Sequence, residues 1–269
     1  MTDPGSKLGR IRRAIREAFA APRQIRVKAS ESRVPDGQLV YAIGDIHGRS
    51  DLLRALVEKI SEDAMRRLTA SQQPTVIFVG DYVDRGPDSR GVIDFLLNEL
   101  PADWDCRFLK GNHEEALLTF LQDPKFGDVW RDFGGLQALS SYGVSPVRIG
   151  GEIDWPTTAA AFESAFPQAH FDFLSGLRLC ETIGDYVFVH AGVRPGIPLE
   201  YQSERDLLWI REEFTAARRA LPQTVVYGHS PNENVALGPG RIGIDTGAYV
   251  TGTLTAAGFS GADVWYLST

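Results

Sequence analysis

Five short strings of Gly, Asp, Asn and His, each directly behind an apolar run, constrain this chain more than any other feature. They are Gly44-Asp45-Ile46-His47-Gly48, Gly80-Asp81-Tyr82-Val83-Asp84-Arg85-Gly86, Gly111-Asn112-His113-Glu114, His190-Ala191-Gly192 and Gly228-His229-Ser230. The runs ahead of them are Leu39-Val40-Tyr41-Ala42-Ile43, Val76-Ile77-Phe78-Val79, Cys106-Arg107-Phe108-Leu109, Tyr186-Val187-Phe188-Val189 and Thr224-Val225-Val226-Tyr227. Short apolar runs bounded by Gly read as buried strands. Strand–turn–helix units of this kind predict a largely parallel α/β core. In such sheets ligands bind outside the carboxyl ends of the strands, where all five strings fall.

The first three strings lead into amphipathic stretches. One spans about 50–68 with Leu52, Leu53, Leu56, Val57 and Ile60 on one face, one carries Val92, Ile93, Phe95, Leu96 and Leu97, and one runs through Leu117, Leu118 and Leu121. Residues 123–180 break this rhythm. With Phe126, Trp130, Phe133, Gly134-Gly135 and weakly helical pieces around 157–165 and 168–175, they read as a small helical insertion beside the core. The tail alternates short strands and turns over 241–245, 253–259 and 263–267. The prediction is one α/β domain over 38–269, with two facing sheets and helices outside. It follows a basic arm over 1–37.

Composition narrows the partners. The chain has 269 residues, 43% hydrophobic and 23% charged, the balance of a globular protein. No apolar run approaches the ~20 residues a membrane helix needs, and no secretory signal pattern is seen, so the cytoplasm is the expected compartment. Two cysteines, Cys106 and Cys180, make neither a disulfide framework nor a thiolate zinc site, and Cys106 is expected to be a buried apolar residue. Residues 1–33 carry +6 and the remainder −13. An acidic body speaks against nucleic acid as a partner. In the arm, Leu8, Ile11, Ile15 and Phe19 share one helical face among Arg10, Arg12, Arg13 and Arg16. The arm is expected to pack on its own acidic body, the alternative being peripheral contact with an anionic membrane.

Asp, Asn and His supply oxygen and nitrogen donors suited to Mn, Fe or Zn, and the flanking Gly allows close approach. Singly, such strings are ordinary: Asp behind a strand often caps the next helix, and a lone His is usually a hydrogen-bonded structural residue. Jointly they are not. Four of the five His sit behind four separate strands. His170, outside any string, is read as a surface or core histidine.

In this order GDIHG, GDYVDRG, GNHE, HAG and GHS resemble the phosphoprotein phosphatase family of metallophosphoesterases, from about Tyr41 to Thr246. The compact length and the HAG and IDTG strings resemble its bacterial branch, which includes lambda phosphatase and symmetrical diadenosine tetraphosphatases. The resemblance implies a calcineurin-like fold, a two-sheet β-sandwich flanked by helices. It implies two divalent metal ions, with Mn²⁺ expected and Fe, Zn or Ni as alternatives. Asp45 and His47 would hold the first, Asp81 would bridge, and Asn112, His190 and His229 would complete the second.

By the same resemblance His113 is the general acid with Asp84 pairing its other ring nitrogen, and Arg85 grips phosphate. Asn112 also faces substrate. Arg211, in LLWIREEF, matches a second phosphate-binding arginine, and Arg194 is a third candidate. Lys110 departs from relatives that carry Arg before GNHE, which puts a substrate contact there in doubt. The implied activity is a dinuclear-metal phosphomonoesterase using direct attack of a metal-bridging hydroxide. Phosphoserine or phosphothreonine in proteins is the first expected substrate. Symmetrical hydrolysis of diadenosine tetraphosphate, or of another small phosphoester, is the alternative, and phosphotyrosine stays open. A non-catalytic binding module is the third reading, opposed by the complete ligand set.

Overall fold

An apolar run whose odd and even residues are both hydrophobic needs cover on both faces of its strand. The computed structural model, which describes residues 32–68 and 72–269, supplies that cover with two five-stranded sheets packed face to face. The first has the order β12–β11–β1–β2–β3 and the second β6–β7–β8–β10–β9. Their strands are β1 Val40–Ile43, β2 Thr75–Phe78, β3 Asp105–Phe108, β6 Cys180–Ile183, β7 Tyr186–Val189, β8 Thr224–Tyr227, β9 Ala236–Gly238, β10 Arg241–Gly243, β11 Thr255–Ser260 and β12 Asp263–Ser268. β4 Arg148–Ile149 and β5 Glu152–Ile153 form a separate hairpin.

Alternation along the strands sorts the core into layers. Val40, Ala42, Ile77, Phe188 and Val226 meet between the sheets. Tyr41, Ile43, Val76 and Phe78 face helices on the outside of the first sheet, while Val187, Val189, Val225 and Tyr227 face the outside of the second. The strand ends coincide because β1, β2 and β3 run parallel, with Ile43 opposite Phe78 and Phe78 opposite Phe108. In the second sheet β7 and β8 are parallel, with Val189 opposite Tyr227. All five strings therefore leave the sandwich at one rim.

The first three helices are α1 Ser50–Arg67, α2 Ser89–Asn98 and α3 Asn112–Gln122. Leu53, Leu56, Val57 and Ile60 are the buried face of α1, as their spacing predicts, whereas Leu52 is only partly buried. The insertion comprises a 3₁₀ turn Pro124–Phe126, α4 Gly127–Asp132, α5 Gly135–Ser141, α6 Trp155–Ala165 and α7 Gln168–Ser175. It is anchored by aromatic packing: Trp130 stacks on Phe120 of α3 with ring centroids 4.5 Å apart. Further on come α8 Glu204–Trp209, α9 Glu212–Thr215 and α10 Ala248–Thr251.

The amphipathic helix read at 7–20 lies outside the described residues. Residues 32–37 lie against the sandwich, where the Val34 N–H donates to Gly261 O at 3.0 Å and the Ser32 and Thr224 hydroxyls are 2.7 Å apart. Cys106 is half-buried rather than buried, because β3 is an edge strand. His170 is a core histidine. Its Nδ1 is 2.8 Å from Tyr142 Oη and its Nε2 is 3.0 Å from Asp94 Oδ1. No helix among the described residues is long and apolar enough to cross a membrane.

Candidate metal centre

Backbone conformation marks the site before any side chain is considered. Among the described residues, the non-glycine positions with positive φ are His47 (46°), Asp81 (54°), Asp84 (68°), Arg85 (65°) and His229 (61°). Every one belongs to a string at the sheet rim. Such conformations cost about 1–3 kcal/mol each and persist only where the surroundings enforce them. Close packing supplies the enforcement. A methyl group on Gly228 would overlap the Asp45 carboxylate, and one on Gly111 would overlap that of Asp81.

Asp81 is central. Its Oδ2 lies 3.5 Å from His47 Nε2 and 3.8 Å from His113 Nε2. Its Oδ1 lies 3.4 Å from His190 Nε2 and accepts the His113 backbone N–H at 3.1 Å. Two donor groups share it: His47, Asp81 and His113 on one side, Asp81, His190 and His229 on the other. Within each group the ligand atoms lie within 4.8 Å of one another. Asn112 Oδ1 joins the second group, 2.8 Å from His190 Nε2 and 2.8 Å from His229 Nδ1.

The surrounding carbonyls set the imidazole tautomers. His47 Nδ1 is 3.0 Å from Val83 O, and His190 Nδ1 is 3.0 Å from Val79 O. A carbonyl only accepts, so each Nδ1 carries the proton and each Nε2 turns its lone pair into the cluster. Burial, aided by the neighbouring His113, drives His47 down to about 3. Burial likewise lowers His190 and His229. These rings are thus held neutral, as ligands must be.

The carboxylates tell the complementary story. Burial first, then the like charges of Asp245 and Asp81, push Asp45 well above its ordinary range. Burial also pushes Asp245 up to about 6. Asp81 feels the same burial, yet the imidazoles of His190, His113, His47 and His229 hold it below the usual value. Asp45 Oδ2 accepts the His229 N–H at 2.9 Å, while Asp45 Oδ1 and His229 Nε2 are buried without a partner. An orphaned carboxylate oxygen beside neutral imidazoles and further buried acids is a site that cations fit.

His113 differs from its neighbours in what holds its Nδ1, which is 2.8 Å from Asp84 Oδ2 rather than from a carbonyl. Asp84 is fully buried and is itself gripped. Trp130 Nε1 donates to both its oxygens at 3.2 and 3.1 Å, and its backbone N–H donates to Ser89 Oγ at 3.0 Å. Burial opposes charge on His113, but Asp81 and the hydrogen-bonded Asp84 outweigh it, so its pKa is raised. A ring poised in this way can carry a proton.

Several contributors are not singled out by the sequence reading. Glu114 gathers the backbone N–H groups of Asp81 (2.9 Å), Tyr82 (2.8 Å), Val83 (3.3 Å) and Gly111 (2.8 Å) on one carboxylate, clamping the second string to the start of α3. A Glu three residues past the N-cap is the sequence signal for this. Tyr249 lies with its ring 5.2 Å from that of His47 and 4.8 Å below the Arg85 guanidinium. Asp245 lies in the IDTG string without a site role assigned to it from sequence, and Trp130 carries no local signal.

The arginines divide. Arg85 is half-buried beside the cluster, and Arg211, in the break between α8 and α9, donates from Nη1 to His229 O at 3.3 Å. Arg194 is not brought to the cluster: its Nε and Nη2 both bind Asp206, at 2.9 and 2.5 Å. In this arrangement Asp206 occupies the guanidinium that the sequence offers as a third substrate contact. Lys110 is also engaged elsewhere, with Nζ 2.9 Å from Glu204 Oε1.

The calcineurin-like phosphoesterase profile matches residues 39–256. Serine/threonine-protein phosphatase 1 of Salmonella typhimurium is 27% identical over 227 residues, covering 81% of this chain and 90% of that protein. The asymmetrical bis(5'-nucleosyl)-tetraphosphatase PrpE of Bacillus velezensis is 25% identical over 242 residues, covering 81% of this chain and 87% of its own. A crystal structure of a proposed diadenosine tetraphosphatase shares the fold with a TM-score of 0.60 at 24% identity, covering 90% of this chain and 98% of that one.

Proposed function

Because this chain belongs to the calcineurin-like phosphoesterase family, we propose that the Asp81 cluster is its hydrolytic centre, acting on phosphate monoesters of serine and threonine in proteins. The observation that carries this reading is the single carboxylate of Asp81 shared by two groups of neutral nitrogen and oxygen donors. Asp45, His47 and Asp81 would hold one divalent metal, and Asp81, Asn112, His190 and His229 the other. Bound there, the pair supplies charge neutralisation for the phosphoryl oxygens and an acidified water. The absence of thiolate among the donors favours Mn²⁺ over softer choices.

The chain's own groups do the rest. His113 delivers a proton from Nε2 to the leaving alkoxide, and Asp84 fixes its orientation through Nδ1. Arg85, steadied on Tyr249, and Arg211, steadied on His229 O, present guanidinium forks to phosphate oxygens. Asn112, the residue before His113, faces substrate as well as joining the second donor group. Similarity to Salmonella phosphatase 1 along most of both chains supports the protein substrate. Cys106 and Cys180, both free, fit a reducing cytoplasm.

A second reading, hydrolysis of dinucleotide polyphosphates by the same centre, is favoured by the comparable similarity to PrpE. One assay tests the shared chemistry. Mn²⁺-loaded protein is expected to hydrolyse p-nitrophenyl phosphate and a phosphoseryl peptide, and Asp81→Asn to abolish both. Wild-type protein that binds no divalent metal and turns over neither substrate would return the chain to the role of a binding module.

A further inference from the structure

Arg85 and Arg211 reach the cluster from different sheets. Arg85 belongs to a string at the rim of the first, and Arg211 to the chain between β7 and β8 of the second. A guanidinium fork binds phosphate oxygens through two parallel bonds only over a narrow range of positions. Two forks therefore share one phosphoryl group only where something fixes the distance between them. Three half-buried side chains, Phe133, Trp209 and Glu115, span that distance. Phe133 directly precedes Gly134, whose carbonyl accepts the Arg85 N–H at 3.2 Å. Packing there is close, since a methyl group on Gly134 would come within 2.9 Å of Arg85 Cγ. The Phe133 ring lies 5.5 Å from that of Trp209, the last residue of α8, and Ile210 alone separates Trp209 from Arg211. Trp209 Nε1 donates to Glu115 Oε2 at 2.6 Å, which ties the indole to the first turn of α3, beside Asn112 and His113.

We propose that Trp209 is a positioning residue for phosphate binding: packed on Phe133 and bonded to Glu115, it sets the separation of the Arg85 and Arg211 guanidinium groups. The inference rests on the hydrolytic reading above and deepens it by naming what holds the two forks in register. The strut touches the site at both ends. The Phe133 ring lies 5.8 Å from that of His113, and the Trp209 ring 6.3 Å from that of His229, whose carbonyl accepts Arg211 Nη1. Trp209 and Glu115 belong to neither donor group. Loosening the strut therefore leaves the metal ligands in place and spoils the grip on phosphate. A misplacement of about 1 Å in such a grip can cost about a hundredfold.

The test titrates Mn²⁺-loaded protein with inorganic phosphate, and Glu115→Gln and Glu115→Leu are the decisive pair. Both remove the charge, but only glutamine keeps an oxygen to accept the indole N–H. Glu115 sits on the half-buried flank of α3, so its variants keep the fold even where Trp209→Phe does not. Calorimetry is expected to show the phosphate Kd raised about tenfold in Glu115→Leu and in Trp209→Phe, the size of one lost hydrogen bond to a charged group. In Glu115→Gln it is expected to return to within about twofold of wild type. With p-nitrophenyl phosphate, KM is expected to rise about tenfold in Glu115→Leu, while kcat and bound Mn²⁺ stay near wild type. In an Arg211→Ala background the Glu115→Leu effect is expected to vanish, because the strut acts through that arginine. Equal losses in the glutamine and leucine variants, or unchanged phosphate binding in both, would overturn the assignment. So would an effect that persists without Arg211, or one that tracks lost metal or a lowered melting temperature. Wild-type protein that binds phosphate but turns over no ester would fall on the hydrolytic reading, and the variant comparison would still decide the strut. Wild type that binds no phosphate would overturn both.

Discussion

Two histidine–aspartate pairs with buried imidazoles in this molecule look alike and behave differently. His113 meets Asp84 at 2.8 Å, and His170 meets Asp94 at 3.0 Å. Around His170 both ring nitrogens are bonded to protein, the Tyr142 hydroxyl completing the set, and none of its partners has positive φ. His113 keeps Nε2 turned toward Asp81 across a gap of 3.8 Å, in the company of residues held left-handed. A buried imidazole satisfied on both sides ties helices together. One satisfied on a single side, among strained neighbours, is prepared for something that arrives.

That contrast can be attacked at its strongest point first. Asp81→Asn keeps the shape but removes the shared charge, and turnover of p-nitrophenyl phosphate is expected to drop about ten-thousandfold with loss of bound metal by elemental analysis. His113→Asn is expected to retain metal and lose about a hundred- to a thousandfold in kcat, more on phosphoserine than on p-nitrophenyl phosphate, whose phenolate needs less protonation than an alkoxide. Trp130→Phe leaves Asp84 without its indole donor. A loss of about tenfold in kcat, again steeper for poor leaving groups, is expected with the fold retained by circular dichroism. Equal losses on good and poor leaving groups would mean that Trp130 serves packing alone.

His170→Gln should leave kcat unchanged and lower stability by about 1–3 kcal/mol in urea titration. Its pH dependence has a definite sign. Burial holds His170 below its ordinary pKa despite Asp94. The unfolded ring therefore binds a proton more readily, so its contribution is complete above about pH 6.5 and is lost as pH falls toward the lower folded value. The wild type should lose stability below that point more steeply than the glutamine variant. Activity lost in His170→Gln at full stability would mean that His170 also serves the Asp81 cluster.

The strand runs and the five strings were legible because each is local: an apolar run, then a Gly, then a ligand-type residue. Strands β2 and β3 begin one residue earlier than their apolar runs, at Thr75 and Asp105, since pairing and not polarity sets a strand's start. What local reading missed is contributed across long separations. Trp130 reaches Asp84 from 46 residues away, Tyr249 comes from beyond the last string, and Asp245, though in IDTG, acts through its distant neighbour Asp45. Arg194 differs, with a local signal and a long-range partner both present. Its position after HAG fits a site residue, but Asp206, 12 residues on, claims its guanidinium.

The left-handed residues at the rim imply that selection for stability and selection for activity pull in opposite directions on this chain. Arg85 shows it most cleanly, since its side chain fills no core and its φ of 65° suits glycine. Replacement by Gly relieves backbone strain of about 1 kcal/mol, but it also removes the guanidinium that stacks on Tyr249 and offsets the buried charges of Asp45 and Asp245. Whether Gly at position 85 raises or lowers thermal tolerance therefore measures the strain of the backbone against the contacts of the guanidinium.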